Sequence, residues 1–299
     1  MNTVLKSTLV CVSLIALGLI FTYPGYTKIE LADEDIVGIW LFDEADGAAI
    51  VDASGHHADG TINNVTAGGV TREPGKFGGA LKFPHVDGEM NNVTIPNPQN
   101  YNAFDEFTIS LWVKAQSTPN LNQRMFSNES FPGGDGSRNI VWELNFGAGE
   151  TARIVFGADG CCKWADAPAP RDKLTDDVWH HVVGLWKQPS LLVYTDGRKG
   201  LEKCFDGDSP NGDDPCNALP DLKAAGDPFI IGTRPNDTGN FNGLMDDVAL
   251  LDRALSEDEI KTVMDDGFEA GALAVSPKGK ATTTWGAIKS RNTRTNFSR

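Results

Sequence analysis

The segment Glu106–Lys114 (EFTISLWVK) alternates between two sets of side chains, and this alternation constrains the fold more than any other feature of the sequence. One set is apolar and consists of Phe107, Ile109, Leu111 and Val113. The other set consists of Thr108, Ser110, Trp112 and Lys114. Because successive side chains of a β-strand point to opposite faces, a period of two predicts a strand and not a helix.

Other apolar segments of similar length lie between turn residues and predict further strands. They are Ile36–Phe42, Asn139–Phe146, Ala152–Phe156, Val178–Trp186, Leu191–Thr195, Pro228–Gly232 and Leu244–Leu251. Asp196-Gly197 is a hairpin-type turn after one of them. Closely spaced strands without interleaved helices, in a chain with 32 glycines and 16 prolines, predict a two-sheet sandwich instead of an α/β fold.

One short helix is predicted near the C-terminal end. Ser256 followed by Glu259 forms a capping box, and Ile260, Val263 and Met264 then give an apolar stripe at helical spacing. Gly267 can end this helix.

Both ends of the chain differ from the middle. Residues 1–32 include an apolar run of about fourteen residues from Thr8 to Phe21, which is short of the roughly 20 that a membrane span needs. This layout predicts a secretory signal peptide, with an uncleaved N-terminal anchor as the alternative. Residues 271–299 hold six basic and no acidic residues and predict a flexible basic tail. A single domain over residues 33–270 is therefore expected, in a protein that is secreted or held at the cell surface.

The predicted domain is strongly acidic. It carries 18 basic and 40 acidic residues, a net charge of −22. Such a surface repels nucleic acid and anionic membranes, which argues against both as partners. It is suited to divalent cations, although a solvated extracellular surface explains the charge equally well.

Four cysteines follow the leader: Cys161, Cys162, Cys204 and Cys216. An even number in an exported chain predicts two disulfide bonds. Crossed pairing of 161/162 with 204/216 and a vicinal pair beside Cys204–Cys216 both stay open. The spacing is not that of a zinc site.

Several segments taken in order resemble one known family. They are Ile39–Glu44, Val51–Thr61, Gly75–Phe83, Phe107–Lys114, the Trp179-His180 strand, and Phe241–Val248 running into Arg253–Ile260. Together they resemble the laminin-G-like, or LamG-type, jelly rolls of the concanavalin A-like lectin/glucanase superfamily, over roughly residues 35–268. The resemblance implies an all-β, two-sheet antiparallel jelly-roll sandwich with one short C-terminal helix.

The resemblance also implies a structural calcium ion that joins the first and last parts of the domain. Asp52 and Asp246 would be ligands, with backbone carbonyls near His57 and Gly60, since calcium takes six to eight oxygen ligands. The alternative is that Asp52 and Ser54 hydrogen-bond only their own turn. The acidic loop Asp206–Asp214 is expected to be a surface insertion.

The sequence does not contain the catalytic carboxylates of the related glucanases. Those enzymes carry three carboxylates on one strand, whereas here Glu143 is followed by Asn145 where the middle acid would stand. No catalytic residue is therefore assigned. Trp112 and Trp142 are candidates for stacking on a ligand.

These observations predict an extracellular binding module for carbohydrate or for a matrix or cell-surface protein, supported by calcium. The alternatives are a glycan-active hydrolase with diverged carboxylates and a structural surface or adhesion protein.

Overall fold

A computed structural model describes residues 31–65, 68–86, 89–96, 106–119, 122–130, 139–147, 149–158, 161–166, 172–187, 190–204, 228–233 and 239–271. Within these ranges the chain forms a 3-10 turn (Asp33–Asp35), seventeen strands and one helix. The first nine strands are β1 (Ile36–Trp40), β2 (Ala49–Ile50), β3 (Gly60–Ile62), β4 (Thr71–Pro74), β5 (Gly79–Phe83), β6 (Val93–Ile95), β7 (Glu106–Gln116), β8 (Arg124–Ser130) and β9 (Asn139–Phe146). The others are β10 (Ala152–Ala158), β11 (Cys161–Asp166), β12 (Asp176–Lys187), β13 (Ser190–Thr195), β14 (Arg198–Lys199), β15 (Lys203–Cys204), β16 (Phe229–Ile231) and β17 (Gly243–Leu251), followed by helix α1 (Glu257–Gly271).

The strands form two antiparallel sheets. Sheet A has the order β14-β13-β12-β7-β17-β5-β4, with β1 also paired to β17 and β15 to β13. Sheet B has the order β11-β10-β9-β8-β16-β6-β3-β2. Crossovers between non-consecutive strands, such as β17 between β5 and β7, give the jelly-roll sandwich. The predicted fold class is therefore confirmed.

The core lies between the sheets and is rich in aromatic rings. Trp40 of sheet A meets Phe126 of sheet B edge to face, with 5.8 Å between ring centroids. Phe126 in turn meets Trp142 at 5.0 Å. Such pairs add to the large apolar area that the rings remove from water.

A second apolar cluster lies on the outer face of sheet A, beneath helix α1. Ile260, Val263 and Phe268 of the helix pack there against strand residues such as Val183 and Leu251. This layer explains why β7 is buried on both faces and not only on its inner one. The helix begins at its predicted capping box, and Gly267 interrupts the helical geometry with φ 71°.

Several predicted features lie outside the described residues. These are the leader, the basic tail, the acidic loop 206–214, Cys216, and the side chains of Cys161, Cys162 and Cys204. The two disulfide bonds thus stay a prediction. No helix in the described part of the chain is long and apolar enough to cross a membrane.

Candidate functional site

The outer face of sheet A carries an open groove at the end away from the helix-covered cluster. The groove has a volume of about 360 Å³. It is lined by Glu73, Pro74, Lys82, Lys114, Gln116, Asp177, Asn242, Gly243 and Leu244. This volume lies within the range of ligand-binding clefts.

A row of directly opposed residues crosses the sheet beneath the groove. Leu244 of β17 pairs with Lys114 of β7 on one side and with Lys82 of β5 on the other. Lys114 also pairs with Trp179 of β12. Directly opposed residues of antiparallel strands share a face, so all four side chains belong to the outer face. Leu244 and Trp179 are half-buried.

Amide and carboxylate groups surround this row. Gln116, Glu73 and Asp177 are exposed, and Asn242 is half-buried. Two hydrogen bonds fix the backbone of Asn242. Its N–H donates to Gln123 Oε1 at 2.8 Å, and its carbonyl accepts from the Gln116 N–H at 2.9 Å. The groove therefore offers hydrogen-bond donors and acceptors above inner strands of sheet A.

Gly243 brings two strands unusually close at the groove. It has φ 146°, and a Cβ atom there would stand 2.2 Å from the Lys114 carbonyl oxygen. Only glycine fits this position, since any side chain would push β17 away from β7.

Trp112 lies between the groove and the helix, and it is covered. It faces outward, as the alternation in β7 predicts, but only 5 % of it is exposed. The Lys76 ammonium stands 4.4 Å from a Trp112 ring centroid, Phe77 packs edge to face at 6.0 Å, and the His181 ring lies at 5.2 Å. Its faces are thus taken up by the β4–β5 turn and by β12.

The adjacent histidines face opposite sides of sheet A. His181 is buried, and its Nε2 lies 2.9 Å from Ser110 Oγ. Burial lowers the pKa of His181 to about 3, so this ring is neutral at physiological pH. His180 instead lies between Asp196 Oδ2 at 2.8 Å and Asp176 Oδ1 at 3.1 Å.

The predicted calcium ligand Asp52 is engaged by its own loop. Its Oδ1 accepts from the Ile39 N–H at 3.0 Å, the Ser54 N–H at 3.0 Å and the Ser54 hydroxyl at 2.6 Å, while Oδ2 accepts from the Ala58 N–H at 3.1 Å. The bonds from Ser54 and Ala58 are those of the alternative interpretation, in which Asp52 organises its own turn, while the bond from Ile39 ties that turn to β1.

The second proposed carboxylate ligand, Asp246, has hydrogen-bond partners different from those of Asp52. Asp246 is fully buried and accepts from the N–H groups of Lys76, Phe77 and Asp247 at 2.7, 2.9 and 2.8 Å. Burial raises the pKa of Asp246 to about 7, against the effect of these donors. His57 is exposed with φ 63°, and Gly60 lies in β3 opposite Ile50.

In the described structure, Asp52 and Asp246 belong to separate hydrogen-bond networks. Asp52 and Asp246 have no common hydrogen-bond partner in it, and N–H groups point at their oxygens. Nor does the described part of the chain hold any group of three or more His, Cys, Asp or Glu that could bind a metal. The calcium clamp stays a prediction.

Glu143 lies on the outer face of sheet B and is tied into a polar network. Its Oε1 lies 3.2 Å from Arg124 Nε and accepts from Asn145 Nδ2. Arg153 Nε donates to Asn145 Oδ1 at 3.0 Å. Trp142, next to Glu143, points the other way into the core and is 1 % exposed, so it presents no face to a ligand.

None of the groove's polar residues was predicted from the sequence to bind a ligand. Lys114 is the last polar member of the alternating segment, but Lys82 lies in β5 and Asn242 immediately precedes β17. Only the insertion of β17 between β5 and β7 brings them to one face.

The fold and the groove define a jelly-roll protein with an open site on one sheet. A laminin G family model of the concanavalin A-like lectin/glucanases superfamily matches residues 87–261, more than half of the chain. The chain belongs to this family, and the resemblance seen in the sequence is confirmed. No curated protein matches the chain in sequence.

Solved structures share the fold. The binding domain of Paraclostridial Mosquitocidal Protein 1 superposes with a TM-score of 0.56 at 15 % identity, over 79 % of this chain and 53 % of that one. Domain 4 of AbnA, a GH43 extracellular arabinanase from Geobacillus stearothermophilus solved with arabinotriose, gives 0.54 at 18 % identity, over 76 % and 97 %. The binding domain of botulinum neurotoxin DC, solved with rat synaptotagmin II, gives 0.56 at 13 % identity, over 79 % and 52 %. The chain spans about half the length of the two toxin domains, and these likenesses show the fold alone.

Proposed function

We propose that the protein is an extracellular carbohydrate-binding module whose groove on sheet A holds a sugar chain. The observation that carries this proposal is the groove itself, a cleft of about 360 Å³ on the outer face of sheet A. Sugar hydroxyls both donate and accept hydrogen bonds, and the amides of Gln116 and Asn242 can do the same. Trp179, beside Lys114, offers an apolar surface for a sugar ring.

Two further points support this reading. Domain 4 of the arabinanase, which superposes over nearly its whole length, was solved with a short arabinose oligomer. The apolar run from Thr8 to Phe21 has the layout of an export signal. N-terminal sequencing of exported protein tests the second point, because a retained leader would instead favour a surface-anchored protein.

The proposal is tested by binding of the full chain to a glycan array and to soluble polysaccharides. We expect Q116A and W179A to weaken binding while V178A, a change at the neighbouring exposed residue, leaves it unchanged. Melting temperatures of all three variants separate lost contacts from lost folding. Binding to a matrix protein with no binding to any glycan would overturn the proposal in favour of a protein partner.

The hydrolase alternative is addressed by Glu143. Its carboxylate is 2 % exposed and paired with Arg124, an arrangement that suits a structural role. Under the binding proposal, no polysaccharide is shortened by the wild-type chain. Turnover that disappears in E143Q would instead establish an enzyme.

A further inference from the structure

Lys82 and Lys114 differ from the other lysines whose side chains the structure describes. Each of the others has a partner: Lys173 pairs with Glu150, Lys187 with Glu106, Lys199 with Glu202, Lys261 with Asp258, and Lys76 stacks on Trp112. Within the described residues, Lys82 and Lys114 have neither an acidic nor an aromatic partner. Both line the groove.

Their positions place the two ammonium groups on either side of one site. Each lysine is directly opposite Leu244, one from β5 and the other from β7. Strands lie about 4.8 Å apart, so the two Cα atoms are separated by roughly 10 Å. Side chains of this length can converge over Leu244 on a group held between them.

This arrangement is unexpected in so acidic a chain. The protein has 41 acidic and 26 basic residues, so a surface lysine has many possible partners. Glu73 and Asp177 even line the same groove, yet neither forms an ion pair with Lys82 or Lys114 in the described structure. Two like charges facing one cleft repel each other, and an anion bound between them removes that cost.

We propose that the groove binds an acidic sugar chain, with a carboxylate or sulfate group held between Lys82 and Lys114. This inference rests on the proposed carbohydrate-binding function. The ammonium groups form charge-assisted hydrogen bonds to the anion, and the amides of Gln116 and Asn242 bind the hydroxyls beside it.

Polysaccharides that differ only in charge test the proposal. Polygalacturonate is compared with its fully methyl-esterified form for the carboxylate, and dextran sulfate is compared with dextran for the sulfate. We expect an acidic member to bind at least about tenfold more tightly than its neutral partner and to weaken as salt is added, because screening weakens exposed ion pairs.

Charge variants locate the effect. K82M and K114M should each weaken acidic binding by about tenfold, while K187M, which removes a lysine paired with Glu106, should leave it unchanged. E73Q removes a negative charge from the groove and should strengthen it. Melting temperatures report whether each variant is folded.

The outcomes separate the two proposals. Equal binding of charged and neutral partners, or equal losses in K82M and K187M, overturns the acidic-ligand inference and leaves the carbohydrate-binding proposal standing. Binding to no polysaccharide overturns both.

Discussion

His180 shows how a single residue of this fold responds to pH. The hydrogen bond to Asp196 raises the pKa of His180 above its usual value of 6.5, against burial, and Asp176 adds to the rise. A histidine whose pKa is higher in the folded chain stabilises the fold fully below its unfolded pKa. That stabilisation is lost as pH rises through the folded pKa.

We therefore predict that H180Q lowers the free energy of unfolding more at about pH 6 than at about pH 8.5. Urea unfolding at the two pH values measures the difference. D176N, which removes the more exposed of the two partners, should have a smaller effect of the same sign. An equal loss at both pH values would show that His180 acts through packing and not through charge.

At the scale of one element, helix α1 is stabilised at its start by a capping box. Ser256 and Glu259 cap each other: Glu259 Oε2 accepts from the Ser256 N–H at 2.8 Å, and the Glu259 N–H donates to Ser256 Oγ at 3.4 Å. Burial alone would raise the pKa of Glu259, but Arg253 and Ser256 lower it to about 2. Glu259 is thus ionised at neutral pH.

S256A should destabilise the protein by about 1 kcal/mol, because it leaves the Glu259 N–H without its side-chain acceptor. T262A, on the same helix, removes only a hydroxyl that donates to the Asp258 carbonyl at 2.8 Å. It should be neutral or slightly stabilising, since alanine is the better helix former. Denaturant unfolding of both variants measures the difference, and equal effects would argue against the cap.

About half of the elements were predictable, and these are the ones whose sequence signals are local. The alternation over Glu106–Lys114 predicted most of β7, and the capping box predicted the start of α1. Nine strands were not assigned. Strands β2 to β6, β14 and β15 have only two to five residues and carry little periodicity, while β8 (RMFSNES) and β11 (CCKWAD) do not alternate between apolar and polar residues. The groove was not predictable at all, because the distance between Lys82 and Lys114 depends on how β17 inserts between their strands.

Trp112 and Trp142 show a related limit of sequence reasoning. Alternation placed Trp112 on the outer face of its strand, but it cannot indicate that the β4–β5 turn covers that face. Trp142 lies on the inner face of β9, and only the packing of sheet B against sheet A shows how deeply it is buried. Exposure is a property of the assembled sheets and not of one strand.

At the scale of the whole molecule, the calcium clamp is tested by melting. If calcium joins Asp52 to Asp246, the ion binds only the folded chain and removing it must lower the melting temperature. Adding a chelator to the protein as purified, and then restoring calcium or supplying magnesium instead, measures this. An unchanged melting temperature would leave both carboxylates in the turn-organising role that their N–H donors indicate.

The place of β17 in sheet A also affects how the chain reaches its fold. It lies between β5 and β7 and also pairs with β1, although in sequence it follows all the other described strands. Until residues 243–251 are made, β1, β4 and β5 lack the strand that joins them to β7 and β12. Contacts so distant in sequence form slowly. In a chain that emerges from its N-terminal end, sheet A would therefore stay divided into two parts until β17 had been made, and only then could it close.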